Sequence, residues 1–214
     1  MFDFLTQGGF MMWVLLAWSI IGLAFVFERC LALWVRFSID WKGWMQQVRG
    51  FVAQGNYTSA IELCNSRSSH PLSRVLKAGL LRANKSDKDI QRAMEEESIR
   101  STPEIEKNID YIAMAANIAT LLGLLGTIIG LVMAFKGVSG ASAQARQEHL
   151  ANGISVAMYT TAFGLCIAIP FLILHYWLNR KGVRMVERIE EASVELANVI
   201  AAQRPAAPRH RRAA

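Results

Sequence analysis

Three uncharged apolar runs, Phe10 to Phe27, Tyr111 to Phe135 and Leu150 to Leu174, set the terms on which this chain of 214 residues can fold. They are 18, 25 and 25 residues long. About 18 or more apolar residues is what a helix needs to cross a bilayer, and the buried helices of soluble domains are usually shorter. With 53% hydrophobic and 19% charged residues, intrinsic disorder of the whole chain is excluded. The expectation is an all-α integral membrane protein with three transmembrane helices and a large helical segment between the first two.

The first run does not read as a cleaved signal. No Lys or Arg precedes it, one acid (Asp3) does, and it ends in Phe27-Glu28-Arg29 rather than at small residues. A retained anchor is expected. Orientation follows from the basic residues: none up to Phe27, thirteen from Glu28 to Asp110, two from Lys136 to His149, and eight from Asn179 onward. The positive-inside rule then puts the long middle segment and the C-terminus in the cytoplasm, with the N-terminus and second loop outside. The net charge of +6 reflects this topology, and no basic face interleaved with aromatics calls for nucleic acid.

The predicted order is an outer N-terminus (1–9), transmembrane helix 1 (10–35), a cytoplasmic helical segment (36–110), transmembrane helix 2 (111–135), an outer loop (136–152), transmembrane helix 3 (153–178), a cytoplasmic helix (179–203) and a disordered basic tail (204–214). The tail's arginines are expected to be solvated, although each is worth roughly 1 kcal/mol beside anionic lipid.

Cys30, Cys64 and Cys166 fall at different depths and predict no disulfide. His70, His149, His175 and His210 are scattered, and no ligand spacing points to a metal or cofactor. His175, beside Tyr176 and Trp177, reads as an interface anchor rather than a proton relay. No phosphate loop or nucleophile–base pair is present in the sequence, so an enzyme is not expected.

Within the middle segment, short helices are predicted over Trp41–Gln54 (closed by Gly55), over Tyr57–Ser66, and from Pro71 through Leu80. Ser86 and Asp89 form a variant capping box opening a longer helix that runs on toward Ile109, with Pro103 expected to kink or interrupt it. Glu95, Glu96 and Glu97 read as a solvated face, the alternative being an acidic collar around a vestibule. Glu28-Arg29 reads as the ordinary charged flank of a span, the alternative being a partner contact.

The second and third runs carry the functional information. Ala116, Thr120, Gly123, Thr127, Gly130 and Ala134 recur at steps of three and four, as do Gly153, Ala157, Thr161, Gly164 and Ala168. Gly126 with Gly130 makes a G-x-x-x-G, Ser155 and Thr160 flank the second stripe, and Pro170 is placed to bend its inner half. Small stripes allow close packing, which does not by itself require hydroxyls. Counted from Phe135 and from Ile154 respectively, Thr127 and Thr161 lie at roughly 12 and 10 Å depth, at 1.5 Å per residue. A ring of such pairs would be a polar waist in an apolar lumen.

Leu121-Leu122-Gly123-Leu124-Leu125-Gly126-Thr127-Ile128-Ile129-Gly130, Gly153-Ile154-Ser155 and Thr160-Thr161-Ala162-Phe163-Gly164 through Pro170 resemble the ExbB/TolQ/MotA proton-channel family, specifically its three-span ExbB/TolQ branch. Glu28-Arg29 and Gly55-Asn56-Tyr57 through Cys64 are also similar. The resemblance implies a bacterial inner-membrane subunit with a periplasmic N-terminus and cytoplasmic C-terminus. It implies a homopentamer around two copies of an ExbD/TolR-like single-span protein whose membrane aspartate carries the proton. Thr127, Thr161 and Thr160 would line the ion pathway, and Gly123, Gly126, Gly130, Gly164, Ala157 and Pro170 would form the packing or pore stripe. Proton motive force would thereby do work on the partner and energise a TonB- or Tol-type envelope system through a TonB- or TolA-like protein. Each charge crossing about 100 mV releases roughly 2.3 kcal/mol.

One position departs from the family. Val156 stands where many relatives carry a glutamate, and none of the three runs contains an acid. Either the partner's aspartate does all the protonation chemistry or the ion is sodium, for which hydroxyl oxygens are suitable ligands. A non-conducting scaffold that clusters a single-span partner is the structural alternative. A flagellar MotA-type subunit would call for four spans where three are read.

Overall fold

The structure, a computed structural model, describes residues 8–36, 41–138 and 142–203. The expectations for residues 1–7 of the N-terminus, for 139–141 and for the basic tail 204–214, His210 included, lie outside the described residues. All regular structure among the described residues is helical: α1 (Phe10–Leu31) followed by a π-helical turn (Ala32–Arg36), α2 (Trp41–Ala53), α3 (Tyr57–Asn65), α4 (Pro71–Leu80), α5 (Asp87–Glu106), α6 (Ile109–Val138) and α7 (Ala143–Gln203). Three of the helices are long and apolar enough to cross a membrane.

The chain divides into two compact units, Met1–Cys30 with Asn108–Asn179 and Leu31–Lys107 with Arg180–Ala214. The first holds the three apolar helices. On α1 the buried residues Met11, Met12, Leu15, Gly22, Val26 and Arg29 fall on one side. Gly22 is a contact point because Phe171 of α7 lies where a Cβ would stand. The Trp18 indole donates to the Ala115 carbonyl at 2.9 Å, and Phe25 stacks on Tyr111 with centroids 5.4 Å apart. A satisfied indole N–H is what a tryptophan inside an apolar layer requires.

Glu28 and Arg29 are more than a charged flank. Glu28 accepts a hydrogen bond from Asn108, and Arg29 is 2% exposed.

The second unit is a soluble-type helical cluster with its own core. Trp44, Val48, Val52, Cys64, Leu76 and Met94 pack with Ile189, Ala192, Leu196 and Ile200 from the last part of α7. Local signals set its helix boundaries. Gly55 adopts φ +74°, a left-handed turn that ends α2, and the Asn56 side chain then caps α3 by accepting from Ser59 N at 3.2 Å. His70 Nδ1 accepts from Leu72 N at 3.2 Å with Pro71 beginning α4, and Ser86 Oγ accepts from Asp89 N at 3.3 Å to open α5.

Pro103 does not interrupt α5, which continues to Glu106. The break falls at Lys107 and Asn108, where Asn108 takes φ +62°. Asparagine enters the left-handed region more readily than most side chains, so the break follows the residue that tolerates it. Just before the proline, Thr102 Oγ1 donates to the Ser98 carbonyl at 2.9 Å.

The glutamate run is engaged in ion pairs. Glu97 pairs with both Arg74 and Arg100, and Glu96 with Arg100. α7 starts at Ala143, ahead of Gly153, and passes Pro170 and Asn179 as one helix.

Candidate ion pathway

Helices α6 and α7 run antiparallel, and glycines set how closely they meet. A Cβ on Gly130 would stand 2.8 Å from both the Ala157 nitrogen and the Gly153 oxygen. A Cβ on Gly164 would stand 2.9 Å from the Ala119 oxygen and 3.0 Å from the Gly123 Cα. Backbone meets backbone at both places, and no rotamer change makes room for a side chain. With little hydrophobic drive between helices in lipid, such van der Waals contact is the main source of association.

Buried residues trace the seam. On α6 they are Ala116, Ala119, Gly123, Gly126, Gly130 and Ala134, and on α7 Gly153, Ala157, Thr160, Gly164, Ala168 and Phe171. This differs from the stripes expected from sequence in three places. Ala119 and Gly126 take the seam positions given to Thr120 and Thr127, and Thr160 takes the one given to Thr161. At Gly126 size decides the matter: a Cβ there would lie 2.5 Å from the Thr160 Cβ, so only a glycine fits opposite this threonine. Pro170 is exposed and off the seam.

The hydroxyls therefore fall into two groups. Thr160 is fully buried, and its Oγ1 lies 3.0 Å from the carbonyls of both Val156 and Ala157. Thr127 and Thr161 are half-buried at the edge of the seam, donating to Leu124 at 2.7 Å and to Ala157 at 3.1 Å. Each donation satisfies the proton against the helix's own backbone and leaves the oxygen able to accept. With Gly126 opposite Thr160, Thr127 is level with Tyr159, which brings it to within about 3 Å of the level of Thr161, at 1.5 Å rise per residue. Thr120 is exposed, its hydroxyl donating to Ala116 at 3.2 Å.

Much of the remaining surface of these helices is apolar and open, with Leu121, Leu125, Ile128, Val132, Met158 and Ile173 all more than 40% exposed. Only 28%, 28% and 33% of the three most apolar windows is buried within the chain, so lipid or other helices must cover the rest. At the N-terminal end of α6, His175 Nε2 lies 3.9 Å from Asp110 Oδ1. Sequence reading missed this pair because the two residues lie far apart along the chain; the signal available was that both stand at the same end of their spans. No group of three His, Cys, Asp or Glu side chains fit to hold a metal occurs among the described residues.

Comparison with known proteins bears on the fold and the family. The solved C. jejuni MotAB structure superposes over 90% of this chain and 82% of its own, with a TM-score of 0.50 and 12% identity, a likeness of fold alone. The biopolymer transport protein exbB1 of Vibrio cholerae is 37% identical over 86 residues, 38% of either chain. The Tol-Pal system protein TolQ of Haemophilus influenzae is 36% identical over 49% of this chain and 43% of its own. These two matches thus span less than half of either relative. A putative biopolymer transport protein, ExbB-like 1, of Synechocystis is 31% identical over 80% of this chain and 68% of its own. Residues 67–191, which include all of α6 and α7 as far as residue 191, match the model of the MotA/TolQ/ExbB proton channel family. The chain is therefore an integral membrane protein belonging to the MotA/TolQ/ExbB proton channel family.

Proposed function

We propose that this chain is the stator subunit of an ion-driven motor in the bacterial inner membrane, with its N-terminus periplasmic and its C-terminus cytoplasmic. Five copies surround two single-span, ExbD/TolR-like partners, and the ion passes between the partner's aspartate and a waist of hydroxyls from Thr127 and Thr161. The observation carrying this reading is the position of those two threonines at nearly one depth, at the edge of the glycine seam and within spans that contain no acid. A hydroxyl in hydrocarbon without a task is a cost. Thr160 acts from within the seam, holding the helix pair at the level where the waist forms.

The scheme requires a partner that supplies the titrating carboxylate, because Val156 offers none. A TonB- or Tol-type envelope system is the proposed consumer of the work, a reading supported by relatives named as biopolymer transport proteins and a Tol-Pal system protein. The glycine seam would equally serve a non-conducting scaffold, and the threonines separate the two readings.

Native mass spectrometry of the complex extracted from its own membranes tests the assembly: five copies with two small aspartate-bearing partners are expected. Ion flux in liposomes tests the chemistry. Thr127→Val and Thr161→Val should abolish flux with the copy number intact, and unchanged flux would leave the scaffold.

A further inference from the structure

We infer that the ion path continues inward from the hydroxyl waist through Asn117 to the Asp110–His175 pair, which hands a proton on to the inner face. The inference rests on the stator reading above and adds the route by which the proton leaves.

Asn117 is the only amide between Tyr111 and Phe135. It is exposed, as is Thr120, one turn away. Besides Tyr111, the polar side chains of this helix from Asp110 to Phe135 are Asp110, Asn117, Thr120 and Thr127. Their spacings of seven, three and seven match the heptad-like rhythm of the seam, so the four lie along one side of the helix, interrupted by Leu124. The other exposed positions, among them Met114, Leu121, Leu125, Ile128 and Val132, are all bulky and apolar. An amide turned to hydrocarbon would be left without hydrogen bonds, whereas one turned to a hydrated lumen would not. The helix thus has one side suited to water and another suited to lipid.

The inner end of that polar side is Asp110, whose side chain is fully exposed, at 3.9 Å from His175 Nε2. His175 follows Thr161 by two heptads on α7, which puts the two on one face. Both helices therefore carry a hydroxyl at the waist and a titratable group at the inner mouth. Glu28 and Arg29, at the same end of α1, are engaged otherwise: Glu28 holds Asn108, and Arg29 is buried. The neutral imidazole accepts a proton from lumen water at Nε2, the Asp110 carboxylate stabilises the imidazolium, and the proton passes to water at the inner face. No bond other than those to the proton is made or broken. An imidazole next to a carboxylate serves a proton in this way and gives a sodium ion no comparable step.

The test uses the complex co-purified with its single-span partner and reconstituted in liposomes, with pH-sensitive and sodium-sensitive dyes read in parallel. Asn117→Leu and His175→Phe should each lower proton flux about tenfold, a barrier increase of about 1.4 kcal/mol, with the copy number unchanged. Asn117→Ser, which puts a hydroxyl in place of the amide, should keep most of it. Wild-type proton flux in both variants, with Thr127→Val inactive, overturns the inference and leaves the stator reading standing. Sodium flux in the wild type also overturns it. If Thr127→Val conducts like the wild type, the stator reading itself fails. If Asn117→Leu loses the copy number, Asn117 is glue between copies and has no place in the path.

Discussion

Asn108 Nδ2 donates a 2.8 Å hydrogen bond to Glu28 Oε2, tying the last turns of the first apolar helix to the residue just before the second. Asn108 is also the sole non-glycine with positive φ among the described residues, at +62°. The chain stops one helix and starts the next there, and the side chain that tolerates the backbone also holds it in place. Asn108→Val should lower thermal stability in detergent by about 1–2 kcal/mol, the cost of a left-handed β-branched residue. Asn108→Gly should keep the backbone and lose only the exposed hydrogen bond, about 0.5–1.5 kcal/mol. Equal melting temperatures for wild type and Asn108→Val would show that the break tolerates any side chain.

Gly130 and Gly50 predict opposite outcomes for one substitution. A methyl on Gly130 meets backbone atoms of α7 at 2.8 Å, whereas nothing lies within 4 Å of one on Gly50. Gly130→Ala should cost at least about 1–3 kcal/mol through overpacking and reduce recovery of the assembled complex. Gly50→Ala, inside α2, should stabilise by roughly 0.5–1 kcal/mol. Melting curves of the two variants side by side check both signs, and a stabilised Gly130→Ala would mean the seam is looser than described.

Cys64 gives a pH dependence. Burial pushes its thiol from the ordinary 9.0 up to about 11, partly offset by Lys77. The unfolded chain then loses this proton first as pH rises. The thiol's contribution is constant below about pH 9 and is lost progressively up to about 11. The slope should approach 1.4 kcal/mol per pH unit at most, on the order of one proton. Denaturant midpoints from pH 8 to 11 should fall for the wild type and less steeply for Cys64→Ala. Parallel curves would rule out the thiol as the cause.

Arg74 joins α4 to α5. It grips Glu104 with two bonds of 3.0 and 2.8 Å, reaches Ser101 at 3.2 Å and lies 3.7 Å from Glu97. The Glu104 hydrogen bonds raise its pKa above the ordinary arginine value, against desolvation. Arg74→Lys keeps the charge but not the planar fork, and should lose about 1 kcal/mol. Arg74→Met also withdraws the guanidinium from Glu104, Ser101 and Glu97 and should lose about twice that. Urea midpoints of the detergent-solubilised protein rank the three; a Lys variant as stable as wild type would reduce the pair to a simple attraction of charges.

The linear order of residues was sufficient for whatever depends on runs and neighbours. Three apolar stretches give three long helices, because backbone groups in hydrocarbon must bond within their own segment. Asn56, His70 and Ser86 start helices where they stand, since a cap acts on amides two or three residues away. The steps of three and four revealed a small-residue stripe on each of α6 and α7. They did not reveal which of two overlapping stripes is packed, because Thr120 and Ala119 are adjacent and only the facing helix distinguishes them. That decision came from tertiary contact: Thr160 occupies the space Gly126 leaves open, and Thr127 and Thr161 are kept at the edge of the seam. The pairs Glu28–Asn108 and His175–Asp110 were hidden for the same reason. Each joins residues whose separation along the chain says nothing of their approach, which is fixed only once the helices have packed.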